Sequence, residues 1–147
     1  MEKEYVVGVD IGGQTTKIGI VDRRGNIVVQ TVIGSKYKAG EAGLFIQAVC
    51  DTIRELAKEV GFEKIQGIGI GAPNGNYYKG TIEDAANLEW AKGIVVELAK
   101  EVSLSLDNLP VTVTNDANAA AVGEMTYGAA RGMKNFIMIT LGTGVGS

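Results

Sequence analysis

The stretch VGVDIGGQTTKIGIV, residues 7–21, constrains the fold of this chain more than any other feature. Two β-rich apolar runs flank a pair of glycines, so the pattern predicts two strands joined by a tight turn. A third β-rich run, NIVVQTVI, follows a turn signal at residues 24–26. We therefore predict three consecutive antiparallel strands at the beginning of the chain.

Beyond these strands, the chain alternates between helical and extended patterns. Apolar residues recur at spacings of three and four from Glu41 to Val60, and Gly61 ends the pattern, which predicts an amphipathic helix. The run IQGIGIGA at 65–72 predicts a buried strand that a crossover connects to this helix. The later segments are predicted as a loop at 73–80, a helix from about Trp90 to Val102, a strand at 111–116, a helix at 117–129 and a strand within 135–147.

Composition limits the function classes open to this chain. It has 147 residues, of which 46% are hydrophobic, enough for a buried core. Its 17 acidic and 14 basic residues are interspersed, so there is no basic stripe and we expect no nucleic acid partner. Histidine is absent, which excludes a Ser-His-Asp triad or a histidine metal site built from this chain alone.

Cysteine usage and hydropathy indicate the compartment. Cys50 lies inside a helical pattern and is predicted to be a small core residue, and a single cysteine excludes a disulfide within the chain. No apolar run approaches the ~20 residues of a membrane span, and the N-terminus lacks a signal-peptide pattern. We expect a cytoplasmic protein with no membrane partner.

The glycine turn between the first two strands suits a phosphate. Backbone N–H groups around a turn hold this anion well, and residues without a Cβ let the backbone approach it. Gly12 and Gly13 meet that need, Thr15 and Thr16 add hydroxyl donors and Lys17 adds a positive charge. Asp10, at the strand end, could organise Mg²⁺ through its water ligands.

A plain hairpin turn would also explain a single Gly-Gly pair. However, a second strand with a glycine turn and hydroxyls occurs in ITLGTGVGS, where the candidate phosphate ligands are Gly142, Thr143 and Gly144. Two such turns are what a nucleotide held from both sides of a cleft requires. The recurrence favours nucleotide binding over a simple hairpin.

Three motifs in this order, VGVDIGGQTTKIGIV, NDANAAAVGE and ITLGTGVGS, resemble the ROK family (repressors, open reading frames, kinases), and specifically its bacterial glucokinases. The resemblance implies an α/β fold of the actin-like ATPase and ribonuclease H-like superfamily, with a mixed five-stranded sheet of order βββαβαβα flanked by helices. It covers essentially the whole chain but only the first half of a family member. We accordingly assign residues 1–134 to an N-terminal domain and 135–147 to the beginning of a second.

Sugar phosphorylation needs a base near the attacking hydroxyl, because an alcohol is a poor nucleophile until its proton is accepted. Asp116 is the candidate, since it lies between a predicted strand and a predicted helix, where ligands of open α/β sheets gather. Simple N-capping of the helix is the alternative for this position. In the family, the matching aspartate is the catalytic base, and the preceding asparagine, here Asn115, binds sugar hydroxyls.

The segment GAPNGNYYKGTIEDAANLEW resembles the sugar loop of the family. By that match Asn87 hydrogen-bonds sugar hydroxyls, Gly75 lets the backbone approach the ring, and Trp90 lines the hexose pocket. This chain departs from the family at Asn74, where a Gly-x-Pro-Gly pattern is commoner. A second departure is Gln14, where threonine is usual, although glutamine can still donate to a phosphate oxygen. Tyr77 and Tyr78 suit either sugar stacking or exposed positions in a loop.

The resemblance implies that the parent protein is an ATP-dependent kinase, with Mg²⁺, that phosphorylates the 6-hydroxyl of glucose and is usually a homodimer. The family's zinc motif and its adenosine pocket fall after Ser147, so we expect this chain alone to be inactive and any structural zinc to belong to the other half. Other hexoses remain open as substrates: N-acetylglucosamine, N-acetylmannosamine, mannose or fructose. A sugar-responsive repressor, a two-metal nuclease and a non-catalytic scaffold are less favoured alternatives.

Overall fold

A computed structural model describes residues 4–22 and 24–115 of the chain. The predicted helix at 117–129 and the final strand lie outside these residues. So do four of the candidate site residues: Asp116, Gly142, Thr143 and Gly144.

The chain begins with the predicted meander. Strands β1 (Tyr5–Ile11), β2 (Thr15–Val21) and β3 (Ile27–Gly34) pair antiparallel in sequence order. Alternation directs Val7 and Val9 of β1 to one face of the sheet, and both are fully buried. The prediction of three antiparallel strands is therefore confirmed.

The predicted amphipathic helix and the following strand are also present. Helix α1 (Ala42–Ala57) buries an apolar stripe that includes Phe45, Val49 and Ile53, and its buried Cys50 confirms the prediction of a core cysteine. A short 3₁₀ turn then leads into β4 (Ile65–Gly71), which pairs parallel with β1. The crossover through α1 places β4 beside the first strand.

The segment after β4 differs from its prediction. Residues that were predicted as a loop begin a small antiparallel sheet of three short strands, β5 (Gly75–Asn76), β6 (Thr81–Glu83) and β7 (Val95–Val96). Helix α2 spans Leu98–Ser105, so the predicted beginning near Trp90 was wrong.

Residues 84–94 form turns in place of the predicted helix. Asp84 and Gly93 have φ values of 50° and 74°, which interrupt helical geometry, and the Gly93 N–H donates to Asp84 Oδ1 at 2.7 Å. The Asp84 N–H donates to the Ile94 carbonyl at 2.9 Å. This closed loop therefore excludes a helix beginning at residue 90.

Strand β8 (Val111–Thr114) completes a five-stranded sheet of order β3-β2-β1-β4-β8. It pairs parallel with β4, so the sheet is mixed, as predicted. The carboxyl ends of β1, β4 and β8 consequently meet at one edge of the sheet. Within residues 4–22 and 24–115, no helix is both long and apolar enough to cross a membrane.

Candidate functional site

The turn between β1 and β2 opens at the carboxyl edge of the sheet. The Gly12 N–H donates to the Thr15 carbonyl at 2.9 Å and closes the turn. A Cβ at Gly12 would lie 3.0 Å from that same carbonyl oxygen, which is tighter than nearly all such contacts. Gly13, Gln14 and Thr15 are exposed. The turn is therefore compact at Gly12 and accessible to a ligand along the next three residues.

A carboxylate and an ammonium group stand side by side next to this turn. Asp10 and Lys17 are direct cross-strand partners, so their side chains share one face of the sheet, and both are half-buried. Burial raises the pKa of Asp10, and the charge of Lys17 partly offsets that rise. On its other side Asp10 faces Gly71 of β4, which has no side chain to cover it.

Thr16 differs from its neighbours in the turn. It is fully buried, and its hydroxyl shares a 2.6 Å hydrogen bond with the hydroxyl of Ser35. This internal partner does not favour the predicted donation from the Thr16 side chain to phosphate. Thr15, which is exposed, is the better hydroxyl donor of the two.

Gly75 lies against the carboxyl end of β8. A Cβ built there would overlap the Thr114 carbonyl oxygen and would lie 2.7 Å from its carbonyl carbon and 2.9 Å from Val113 Cγ1. The Ala72 N–H also donates to the Thr114 carbonyl, at 3.0 Å. The loop after β4 is thereby fixed next to Asn115, which follows Thr114 and is exposed.

Asn87 is adjacent to the turn between β1 and β2, called the phosphate turn here for the ligand that the sequence predicts. The position of a Cβ on Gly13 lies 3.5 Å from the Asn87 carbonyl oxygen and 3.7 Å from the Asn87 Cβ. Asn87 is exposed, so its amide is available to a ligand. Two motifs separated by more than 70 residues, one predicted for phosphate and one for sugar, therefore meet in space.

Asn74, one of the two departures from the family pattern, braces the loop. Its φ is 56°, a left-handed conformation that asparagine tolerates better than most residues. Its amide nitrogen donates to the carbonyls of Glu83 and Asp84 at 3.1 and 2.8 Å. Sequence reasoning missed this role, and the signal available was an Asn-Gly pair, which favours left-handed geometry.

The aromatic residues of this region are not arranged as the resemblance implied. Trp90 is fully buried and stacks on Phe45 with 4.4 Å between ring centroids. The prediction that it lines a hexose pocket is therefore wrong in this structure: its ring packs in the core. Tyr78 is 95% exposed and meets Tyr77 edge to face, so neither ring is committed to the core contacts that hold Trp90.

Magnesium suits this edge of the sheet. Among the described residues no group of three or more His, Cys, Asp or Glu side chains could hold a metal. Mg²⁺ keeps several waters and commonly binds through one or two carboxylates plus substrate phosphates. The lone carboxylate of Asp10, beside a phosphate turn, fits that mode and does not fit an all-protein metal cage.

Known proteins with a similar structure or sequence are sugar kinases and their relatives. The chain is similar in structure to a ROK family glucokinase from Streptomyces griseus in complex with glucose and AMPPNP, with a TM-score of 0.65 and 32% identity over 87% of this chain and 38% of that one. Its structural neighbours include this ROK glucokinase and a ROK hexokinase from Thermus thermophilus (TM-score 0.65, 27% identity over 87% of this chain and 40% of that one), which confirms the predicted actin-like ATPase fold. Residues 6–147 match the ROK family, and the chain belongs to it.

Curated relatives include glucokinases. One from Streptomyces coelicolor is 38% identical over 143 residues, which is 95% of this chain and 41% of that protein. Another from Halalkalibacterium halodurans is 38% identical over 149 residues, covering 99% of this chain and 44% of that protein. The chain thus spans less than half the length of these relatives.

Proposed function

We propose that this chain is the N-terminal half of an ATP-dependent hexokinase that transfers the γ-phosphoryl group of ATP to the 6-hydroxyl of glucose. One observation carries the proposal: the phosphate turn, Asn87 and the junction of Gly75 with the end of β8 lie at the carboxyl edge of one sheet. Ligands of open α/β sheets bind at this edge. The similarity to glucokinases supports glucose as the acceptor.

Each residue then has a part in the mechanism. Asn87 and Asn115 hydrogen-bond sugar hydroxyls and orient the ring, and Asp116, next along the chain, accepts the proton of the attacking hydroxyl. The backbone of the turn at Gly12 and Gly13 binds phosphate, together with the ammonium group of Lys17. Asp10 would hold Mg²⁺ through its water ligands, and the ion would supply positive charge to the phosphates.

Closure of a cleft between two glycine turns would favour phosphoryl transfer to the sugar over hydrolysis of ATP. Gly142, Thr143 and Gly144 would bind the nucleotide phosphates from the opposite side of the cleft, with the exposed Gln14 and Thr15 on this side, while the buried Thr16 side chain supports the turn from within. Closure of the two sides over the sugar would exclude water. We further propose a cytoplasmic homodimer without nucleic acid or membrane partners, and a fragment that is inactive without the second half.

A coupled ADP-release assay of the full-length protein, with Mg-ATP and a panel of hexoses, tests the proposal. We expect turnover with glucose, and Asp116→Asn is expected to lower kcat at least ~10³-fold while glucose binding survives, because the hydroxyl then lacks its base. Asp107→Asn is the matched control: it makes the same chemical change at an exposed position remote from the sheet edge.

Different outcomes separate the alternatives. Turnover with another hexose but not glucose would keep the kinase and change its substrate. Binding of sugar without any turnover would indicate a sugar-sensing regulator of the family. Near-normal turnover by Asp116→Asn would refute the proposed base.

A further inference from the structure

We propose that Ser35 and Trp90 act as positioning residues that hold Asn87 in register with the phosphate turn. This inference rests on the proposed function, since it concerns how the sugar site of that kinase is set relative to its phosphate site. The group formed by Ser35 and its partners Gln14, Thr16 and Trp90 is called here the Ser35 junction. Nothing in the roles assigned above to the substrate-binding residues accounts for it.

Ser35 makes two hydrogen bonds to the phosphate turn. It directly follows β3 and is 2% exposed. Its N–H donates to the Gln14 carbonyl at 2.9 Å, and its hydroxyl bonds with the Thr16 hydroxyl at 2.6 Å. These contacts hold the residues on either side of the exposed Thr15, so the conformation of the turn is fixed from beneath.

Trp90, in the predicted sugar loop, makes a hydrogen bond to the same serine. Its indole N–H donates to the Ser35 carbonyl at 3.2 Å, and its ring is clamped by the stack on Phe45. The Ser35 carbonyl also accepts from the Tyr37 N–H at 3.1 Å. Loss of the indole donor would therefore leave that carbonyl paired, and the main loss would be the link between the two segments.

The link continues from Trp90 to Asn87 through two short turns. The Leu88 N–H donates to the Ala85 carbonyl at 3.0 Å, and the Ala91 N–H donates to the Leu88 carbonyl at 2.9 Å. Leu88 is buried, so the segment is anchored between these turns. The Asn87 carbonyl oxygen lies 3.5 Å from the position of a Cβ on Gly13, so the backbone of Asn87 is thereby set at a defined distance from the turn.

This arrangement matters because phosphoryl transfer depends on the acceptor hydroxyl standing in line with the phosphate. A misplacement of about 1 Å, even one caused far from the reacting atoms, can lower the rate about 10²-fold. The exposed Asn87 has no burial of its own to hold it there. The Ser35 junction supplies that constraint from inside the protein.

Trp90→Phe in the full-length protein tests the inference. It removes the indole N–H and keeps a ring to stack on Phe45. We expect the dissociation constant for glucose, measured by calorimetry, to rise at least about fivefold, while that for the ATP analogue AMPPNP stays within twofold. Ile53→Val is the matched control for stability, because it trims the core about two helical turns from Phe45 on α1 and removes no hydrogen bond.

A double-mutant cycle with Asn87→Ala shows whether Trp90 acts through Asn87. If it does, Trp90→Phe adds less than a twofold change once Asn87 is removed. A fivefold loss that persists in that background, or unchanged glucose affinity in Trp90→Phe, would overturn the inference. Should Trp90→Phe fail to fold, Ser35→Ala replaces it. That change removes the hydroxyl contact with Thr16, one of the two that hold the turn, and keeps the three hydrogen bonds of the Ser35 backbone. Glucose affinity should then fall about twofold, and an unchanged glucose affinity would be the refuting result.

Calorimetry also separates this inference from the proposed function. Sugar binding without turnover by the wild-type protein would refute the kinase proposal, and the double-mutant cycle would still decide the role of Trp90. A wild-type protein that binds no hexose would overturn both.

Discussion

Gly75→Ala is expected to damage the fold and the sugar site together. The new methyl group would overlap the Thr114 carbonyl oxygen and approach the Thr114 carbonyl carbon and Val113 Cγ1 to within 3.0 Å. Two of these three atoms belong to the backbone of β8, which pairs with β4 and cannot turn aside as a flexible side chain can. The loop and the strand must therefore separate.

The size of the effect follows from the nature of the contact. Inserting a methyl group into a well-packed site costs about 1–3 kcal/mol, and backbone clashes place this site at the upper end, about 3 kcal/mol. For a cooperative unit of about 150–250 residues, each kcal/mol lowers Tm by about 2–4 °C, so a decrease of about 6–12 °C is expected. Because Asn115 follows the displaced Thr114, glucose affinity should fall at least about tenfold.

Thermal unfolding followed by circular dichroism, together with glucose calorimetry, would measure both effects in the full-length protein. Gly43→Ala is the control: this glycine lies in α1, and a Cβ there would meet no atom within 4 Å. Alanine favours a helix by up to about 1 kcal/mol, so this variant should be as stable as the wild type or slightly more stable. A Gly75→Ala protein within about 1 °C of the wild-type Tm would refute the reasoning.

Three further predictions concern single side chains. Asn87→Ala should raise the dissociation constant for glucose about tenfold and leave that for AMPPNP nearly unchanged, as measured by calorimetry, because a buried hydrogen bond to a ligand contributes about 1–1.5 kcal/mol. Burial raises the pKa of the Cys50 thiol, so Cys50 should resist iodoacetamide at pH 8 and react only when urea unfolds the protein; rapid labelling of the native protein would contradict this. The Thr81 hydroxyl, at 2.7 Å, lowers the pKa of Glu83 from its ordinary value, so this pair stabilises the fold at a pH above that ordinary value and loses that effect as the pH falls through the native pKa. Thr81→Val should therefore raise the Glu83 pKa in an NMR titration and move acid unfolding to higher pH, and an unchanged pKa would count against the hydrogen bond.

Periodicity predicted the elements in which local sequence and burial agree. The meander was predictable because β-rich apolar runs separated by turn signals mark its strands, and α1 was predictable because its three-to-four spacing marks one buried face. The small sheet was not, because β5 and β7 have two residues each and no period can be detected in two residues. Helix α2 was predicted to begin too early because Trp90 and Ala91 fit a helical stripe, although turns bury them.

The candidate site divides in the same way. The turn at Gly12 and Gly13 could be predicted from sequence because it uses adjacent residues. Sequence could not predict that Asn74 braces the loop or that Trp90 is buried, because both depend on partners distant in sequence. The Asn74 amide donates to the carbonyls of Glu83 and Asp84, and the Trp90 indole stacks on the Phe45 ring.

The sequence by itself determined the candidate ligand groups of this protein, since the glycine turn, the adjacent carboxylate and lysine, and the asparagines are written in short motifs whose local geometry needs no distant partner. Tertiary structure decided which motifs share a site. Parallel pairing of β1, β4 and β8 brings their carboxyl ends to one edge, and only then does Gly13 stand beside Asn87 and Gly75 beside Asn115. The physical reason is that each of these contacts joins two segments that are distant in sequence. Sheet register and backbone packing between the segments decide whether they meet, and the sequence of one segment alone specifies neither.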